Sequence, residues 1–275
     1  MESSEKFAAL KGRLAGHGRL AVALSGGVDS SFLLAAAAEE LGVANVVAVT
    51  VKSALAPVFE LEQAAWFCED CGVRQVVVEA DPLAVGGVRE NGAERCYHCK
   101  KGIFALALEA AAREGFGVLA DGTNADDVAD FRPGSAAVAE LGVASPLRDA
   151  SLTKDDIRQL SRQMGLRTWD APSCACLATR VAYGTPLDAD LLRRIDAAED
   201  YLRRLDFEQV RVRVHGDIVR IEVGRTQVAR MADPATRMDV AAELKRLGFT
   251  YICLDLEGFR TGSMNESIER GNDAE

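Results

Sequence analysis

The sequence has no apolar run approaching the roughly 20 residues of a membrane span. It also has no excess of basic charge: Lys and Arg number 32 against 42 Asp and Glu, a net charge of −10. That balance argues against a broad nucleic-acid surface, because phosphate contacts come from clustered Lys and Arg. The first residues, Met1-Glu2-Ser3-Ser4-Glu5-Lys6, hold no signal-peptide core, so a cytoplasmic location is expected. Internal repeats and low-complexity tracts are lacking. So is a G-x-x-x-x-G-K-[ST] loop. Seven cysteines are present, but in a cytoplasmic chain they do not read as a disulfide framework. They fall as Cys68-x-x-Cys71, Cys96-x-x-Cys99, Cys174-x-Cys176 and a lone Cys253.

What is there begins with Leu24-Ser25-Gly26-Gly27-Val28-Asp29-Ser30-Ser31. An apolar run, Arg19–Leu24, reads as a buried strand before it, and Ser31–Leu41 reads as a helix stopped by Gly42. A strand that turns through two glycines into a helix is suited to an anion: the backbone can approach closely, and free amides at the positive helix end face it. Asp29 and Ser30 are candidate caps of that helix, and the Ser25 and Ser30 hydroxyls are candidate phosphate ligands.

With 275 residues there is room for one domain of about 150–190 residues and a smaller one. Strands are expected at 44–51, 74–79 and 118–120, with helices at 5–15, 57–70 and 102–114 between them. The alternation predicts a doubly wound parallel sheet with ligands at the carboxyl ends of its strands. The pattern changes near Ala171-Pro172-Ser173. A charged helix over 188–205, a hairpin at 209–223 around His215-Gly216-Asp217, a helix at 235–247 and a strand at 249–256 then predict a small α+β domain. The expected division is 1–180 and 181–275, with the last dozen residues disordered.

Several groups are candidates for chemistry. Asp121-Gly122-Thr123-Asn124-Ala125-Asp126-Asp127 follows a strand, so its carboxylates suit Mg²⁺ or a ribose hydroxyl, with Asp126 the candidate Mg²⁺ ligand. Cys96 and Cys99, three apart at a helix start, can share a metal or the edge of a cluster; a zinc site completed by two more cysteines is the alternative. His98 is expected to be exposed rather than a ligand. Cys68 and Cys71 read as small helix residues, and Cys253 as a core residue. Arg211 and Arg213 share one face of a strand and, with Arg260, are candidates to clamp a phosphate near Glu199 and Glu222.

Ser25-Gly26-Gly27-Val28-Asp29-Ser30 resembles the pyrophosphate loop of the ATP pyrophosphatases, which split ATP into AMP and pyrophosphate. A more specific resemblance rests on Arg95-Cys96-x-x-Cys99-Lys100, Gly122-Thr123-Asn124-x-Asp126-Asp127-x-x-Asp130-x-Arg132-Pro133-Gly134 and Ser145-Pro146-Leu147. It also includes Ala175-Cys176-Leu177-Ala178-Thr179-Arg180, Tyr183-Gly184 and Leu254-Asp255-Leu256-Glu257-Gly258-Phe259-Arg260-Thr261-Gly262-Ser263. These motifs resemble the sulfur transferase of lactate-racemase maturation, the LarE family, from about residue 19 to 266.

That resemblance implies ATP with Mg²⁺ as cosubstrate and a pyridinium dicarboxylate mononucleotide as the molecule adenylylated. Sulfur then replaces a carboxylate oxygen, on the way to the nickel-pincer nucleotide cofactor. Ser25, Gly26, Gly27, Asp29, Ser30, Gly122, Thr123, Asn124 and Asp127 would bind the nucleotide, and Arg211, Arg213 and Arg260 the substrate phosphate. Asp29, Cys96, Cys99 and Cys176 would carry the chemistry. Cys176 matches the sulfur-bearing position, and Arg180, four residues on, would hold it as thiolate if the segment is helical. Some members consume that cysteine. Others hold a [4Fe-4S] cluster on three cysteines, and the Cys96–Cys99 pair with Cys176 favours that version; Cys174 is the alternative third ligand. A homo-oligomer is implied, with no nucleic-acid or membrane partner. The rivals are a tRNA thiolase, an ammonia-dependent synthetase of the NAD synthetase kind, and a non-catalytic nucleotide or iron-sulfur carrier.

Overall fold

A computed structural model describes residues 2–128, 133–172 and 175–260. Asp130, Arg132, Cys174, the Thr261-Gly262-Ser263 end of the last motif and the expected disordered tail lie outside these residues. The chain forms two compact units: Met1–Val88 with Ala93–Cys174, and Arg89–Gly92 with Ala175–Glu275. It therefore crosses into the second unit for four residues, just before the Cys96-x-x-Cys99 segment, and returns.

In the first unit, α1 (Ser3–Ala15) leads to β1 (Leu20–Ala23), α2 (Val28–Leu41), β2 (Val46–Lys52), α3 (Val58–Cys71), β3 (Arg74–Glu79), α4 (Arg95–Arg113) and β4 (Leu119–Ala120). Then come α5 (Pro133–Glu140), α6 (Pro146–Asp149) and α7 (Lys154–Gln163). Among the described residues the strands form a parallel sheet in the order β3-β2-β1-β4. Strand direction alternates the side chains between two apolar layers. Leu20, Val22 and Ala48 face one cluster, built on Phe32, Leu33 and Leu34 of α2, Leu10 and Leu14 of α1, Phe67 of α3 and Ile157 and Leu160 of α7. Ala21, Val47 and Val49 face the other, with Ala107, Ala110 and Ala111 of α4 and Val138 of α5. A sheet covered on both faces explains why β2 reads as an unbroken β-branched run.

The order reverses between β1 and β4. That switch point opens a crevice at the carboxyl ends of the two strands. Ala144 extends the sheet past β4: Asp121 N–H donates to Ala144 O and Ala144 N–H to Leu119 O, both at 2.9 Å.

Helix α4 begins at Arg95, seven residues before the expected start at Gly102. Cys96 and Cys99 thus lie in its opening turns. Gly102 does not stop it, because it lies within the helix, with Val85 packed close to where a side chain would begin. Helices α5, α6 and α7 were not anticipated from the sequence pattern.

The second unit contains α8 (Ala189–Arg204), β5 (Val210–His215), β6 (Ile218–Val223), α9 (Val228–Ala232), α10 (Pro234–Arg246) and β7 (Tyr251–Leu254). The expected hairpin is β5–β6, antiparallel with Arg211 opposite Glu222, and β7 adds to β6 in parallel. Cys253 corrects the expectation of a core residue. Strand β7 lies at the sheet edge, next to β6 alone, and Tyr251 and Cys253 share its solvent side. No helix among the described residues is long and apolar enough to cross a membrane.

Candidate active site

The phosphate loop joins β1 to α2. Gly26 has φ +83°, and a Cβ there would lie 2.5 Å from the Glu60 carbonyl oxygen of α3, so only glycine fits without displacement. The expected capping by Asp29 and Ser30 is not found. Gly27 is the N-cap, and no side chain caps the first turn. Ser30 Oγ turns back instead: it donates to Gly27 O (3.2 Å), accepts from Ser25 N–H (3.2 Å) and lies 3.1 Å from Ser25 Oγ. The hydroxyls brace the loop, and the uncapped amides remain the natural ligands for an anion.

The loop after β4 is laid directly on this turn. A Cβ on Gly122 would sit 2.9 Å from Ser30 N and 3.1 Å from Ser30 Cα. Asp121, which the sequence reading left without a role, organises the loop. Its buried carboxylate accepts from Ser145 Oγ (2.8 Å), from Thr123 N–H (3.3 Å) and from the Thr123 hydroxyl. Asn124 N–H donates to Asp127 Oδ2 (3.1 Å), and Asp126 N–H to Asn124 Oδ1 (2.9 Å). Asp126, the candidate Mg²⁺ ligand, spends Oδ2 on the Lys154 amide at 2.8 Å and so helps start α7. Among the described residues no group of three or more His, Cys, Asp or Glu is arranged to hold a metal.

Asp29 is half-buried and paired with Lys154, whose Nζ lies 2.5 Å from Asp29 Oδ2. Burial raises the Asp29 carboxyl above its ordinary value; Lys154 opposes this, and Asp127 adds to it. Lys154 is a residue the sequence reading missed. Its signal is a basic residue at the first position of a helix, where the dipole disfavours cations.

Cys96 and Cys99 lie one turn apart on α4, both half-buried, with Arg95 Nη2 donating to Cys96 Sγ at 3.9 Å. His98 is packed rather than exposed: its ring covers Gly87, where a Cβ would lie 2.6 Å from it, and meets Tyr97 edge-on. At the end of α3, burial pushes the Cys68 thiol up to about 12 and the Cys71 thiol up to about 11. Both are poor nucleophiles at neutral pH.

The second unit holds Cys176 and the arginines. Cys176 precedes a short 3₁₀ turn, Leu177–Arg180, rather than an α-helix. Arg180 is fully buried; its Nη1 donates to the carbonyls of Ala175 (2.6 Å) and Cys176 (3.2 Å). Its other edge meets Glu199 in two bonds, 2.8 and 2.9 Å. Glu199, on α8, also accepts the Val212 amide of β5 at 2.9 Å. Burial would raise the Glu199 carboxyl, but Arg180, Arg211 and the Val212 amide outweigh it and hold it below the ordinary value.

Arg211 and Arg213 are each 5% exposed, so the face they share is an interior one. Arg213 donates to Glu222 (3.1 and 3.2 Å) and to Thr179 O (2.9 Å). The Arg211 guanidinium lies 5.1 Å from the Phe259 ring centre. Arg260 bonds Asp255 (3.3 Å) and Glu257 (2.7 Å). Gly258, with φ +73°, lets this turn lie on the end of β6, where a Cβ would be 2.8 Å from Val223 O.

A family model described as asparagine synthase matches residues 7–128, which include both the phosphate loop and the loop after β4. The chain is 35% identical over 252 residues to an uncharacterized protein of Synechocystis sp., covering 92% of this chain and 94% of that one. It is 37% identical over 253 residues to the pyridinium-3,5-bisthiocarboxylic acid mononucleotide synthase of Lactiplantibacillus plantarum, covering 92% and 91%. An uncharacterized protein of Methanocaldococcus jannaschii is 26% identical over 243 residues, covering 88% and 91%. A resemblance that runs through both units at this identity goes beyond a shared phosphate loop, and the chain belongs to the LarE family of ATP pyrophosphatases.

Proposed function

We propose that this chain is an ATP-dependent sulfur transferase that adenylylates a pyridinium dicarboxylate mononucleotide and turns its carboxylate into a thiocarboxylate for the nickel-pincer cofactor. The observation that carries this is the 37% identity to the bisthiocarboxylic acid mononucleotide synthase over nearly the whole of both chains. The uncapped first turn of α2 beneath Gly122 supports the ATP half of the reading. In it, a substrate carboxylate oxygen bonds the α-phosphorus and pyrophosphate leaves. A sulfur nucleophile then attacks the activated carbonyl, and AMP leaves.

Ser25, Gly26, Gly27, Asp29 and Ser30, with Gly122, Thr123, Asn124 and Asp127, are assigned to ATP and Mg²⁺. Arg211, Arg213 and Arg260 are assigned to the substrate phosphate. For that role the cations must answer to an anion while already held by Glu222, Asp255 and Glu257.

For the sulfur source, the cysteine pattern favours a [4Fe-4S] cluster on Cys96, Cys99 and Cys176. Cys96 and Cys99 offer a suitable pair of thiols one turn apart. The third ligand rests on the family resemblance alone. When bound, such a cluster supplies a transferable sulfide. A cytoplasmic homo-oligomer is part of the same reading.

The test incubates anaerobically purified protein with ATP, Mg²⁺ and the mononucleotide, and follows AMP, pyrophosphate and the thiocarboxylate. Asp29→Ala should abolish AMP formation, whereas Cys176→Ala should keep it and lose the sulfur product. Iron and sulfide analysis of each Cys→Ala variant checks the ligand set. A wild type without iron, whose Cys176 loses the elements of H₂S on turnover, would replace the cluster with the sacrificial route. No AMP from the wild type would remove the whole reading.

A further inference from the structure

Lys154 belongs to none of the motifs that carry the family resemblance, yet it is built into the phosphate loop. We propose that Lys154 is a ligand of the β- and γ-phosphates of ATP and neutralises pyrophosphate as it leaves. The proposal rests on the adenylylation reading and adds a residue to it.

Its position is the first argument. Lys154 opens the ten-residue helix α7, next to the N-cap Thr153 and ahead of Asp155 and Asp156. Those two acids suit the positive end of a helix, and a lysine does not. Something other than helix stability selects a cation there.

The way it is held is the second. Its amide is fixed by Asp126 at 2.8 Å, and its ammonium reaches Asp29 at 2.5 Å. Lys154 therefore joins the loop after β4 to the phosphate loop, and Gly122 presses those two loops together a few residues away. The pair is not sealed off: the lysine and aspartate side chains keep 27% and 23% of their exposure. Asp29 Oδ1 is buried and meets no donor at hydrogen-bond geometry among the described residues, although Asn124 lies close enough to favour its charged form. An oxygen left in that state suits a divalent cation arriving with a polyphosphate.

In the ligand-free chain Lys154 is the counter-ion of Asp29. Once the cation of Mg·ATP takes over that carboxylate, the ammonium is released on a flexible four-carbon stem beside the amides of α2. The bond from the α-phosphorus to its bridging oxygen then breaks, and the electron pair stays on pyrophosphate. Lys154 offsets that charge without giving up its proton, so the step needs no redox partner and no proton acceptor.

The intact protein is titrated by calorimetry with inorganic pyrophosphate and, separately, with AMP, each with Mg²⁺. Lys154→Met should weaken pyrophosphate about tenfold or more and leave AMP nearly unchanged, and Lys154→Arg should recover part of the loss. Lys154→Gln serves if the methionine variant does not fold. Unchanged pyrophosphate affinity, or an equal loss for both ligands, would make Lys154 a structural counter-ion and end the proposal. If the wild type binds neither ligand, the adenylylation reading fails, a result distinct from failure at Lys154.

Discussion

Arg180 and Glu199 form a two-bond ion pair in which neither side chain has any exposure. The pair ties the Cys176 turn to α8, and Glu199 reaches on to the Val212 amide of β5. Burial of this kind costs desolvation of both charges, so the pair adds little net stability, yet removing one partner strands the other. Glu199→Ala should therefore lower unfolding stability by roughly 3–5 kcal/mol. Urea unfolding checks this, and an unchanged midpoint would mean that Arg180 has found another anion.

Gly122 has a different task. Alanine there would place a methyl group 2.9 Å from Ser30 N, so either the loop after β4 or the first turn of α2 must move. Gly122→Ala should cost about 1–3 kcal/mol of stability and weaken ATP binding. Gly117→Ala, with open space around it, should stay within about 0.5 kcal/mol. Equal behaviour of the two variants would show that the contact at Ser30 carries no constraint.

The junction of α1 with α7 makes a prediction about pH. Burial would raise the Asp156 carboxyl, but Lys6, Ser3 and Thr153 surround it and hold it well below the ordinary carboxylate range. A depressed carboxyl stabilises the fold above its unfolded value near pH 3.9, and that contribution disappears as the pH falls toward the folded value. The stability advantage of wild type over Asp156→Asn should be about 1–3 kcal/mol and level between roughly pH 5 and 7, then shrink below about pH 4. Thermal melts across that range measure it; an advantage that grows on acidification has the wrong sign for this account.

The phosphate loop, the parallel strands of the first unit and the β5–β6 hairpin were legible because each is a local pattern. A β-branched run flanked by glycine, or an alternation broken by His215-Gly216-Asp217, needs no distant partner to be read. Helix α7 was not legible. Only Ile157 and Leu160 mark its buried apolar side, and the remaining residues are mostly charged. The start of α4 was missed because Gly102 reads as a breaker, whereas packing against Val85 and a long helix on either side absorb its modest penalty.

The sequence by itself determined the chemistry on offer: a glycine turn between a strand and a helix, cysteines spaced by one helical turn, and an acidic loop after a strand. It also determined the family, because those residue types recur at spacings that chance does not supply. Only the tertiary structure decided which charges meet. Arg211-x-Arg213 has the alternation of a solvated strand, yet both guanidiniums are interior because α8 and the 258–260 turn belong to the same small fold. Lys154 and Asp29 stand 125 positions apart, and no periodicity links them. They meet because the sheet order reverses between β1 and β4, which brings the ends of non-adjacent segments to one crevice. A spacing in sequence encodes local geometry; a pairing across a crevice exists only once the strands have taken their order.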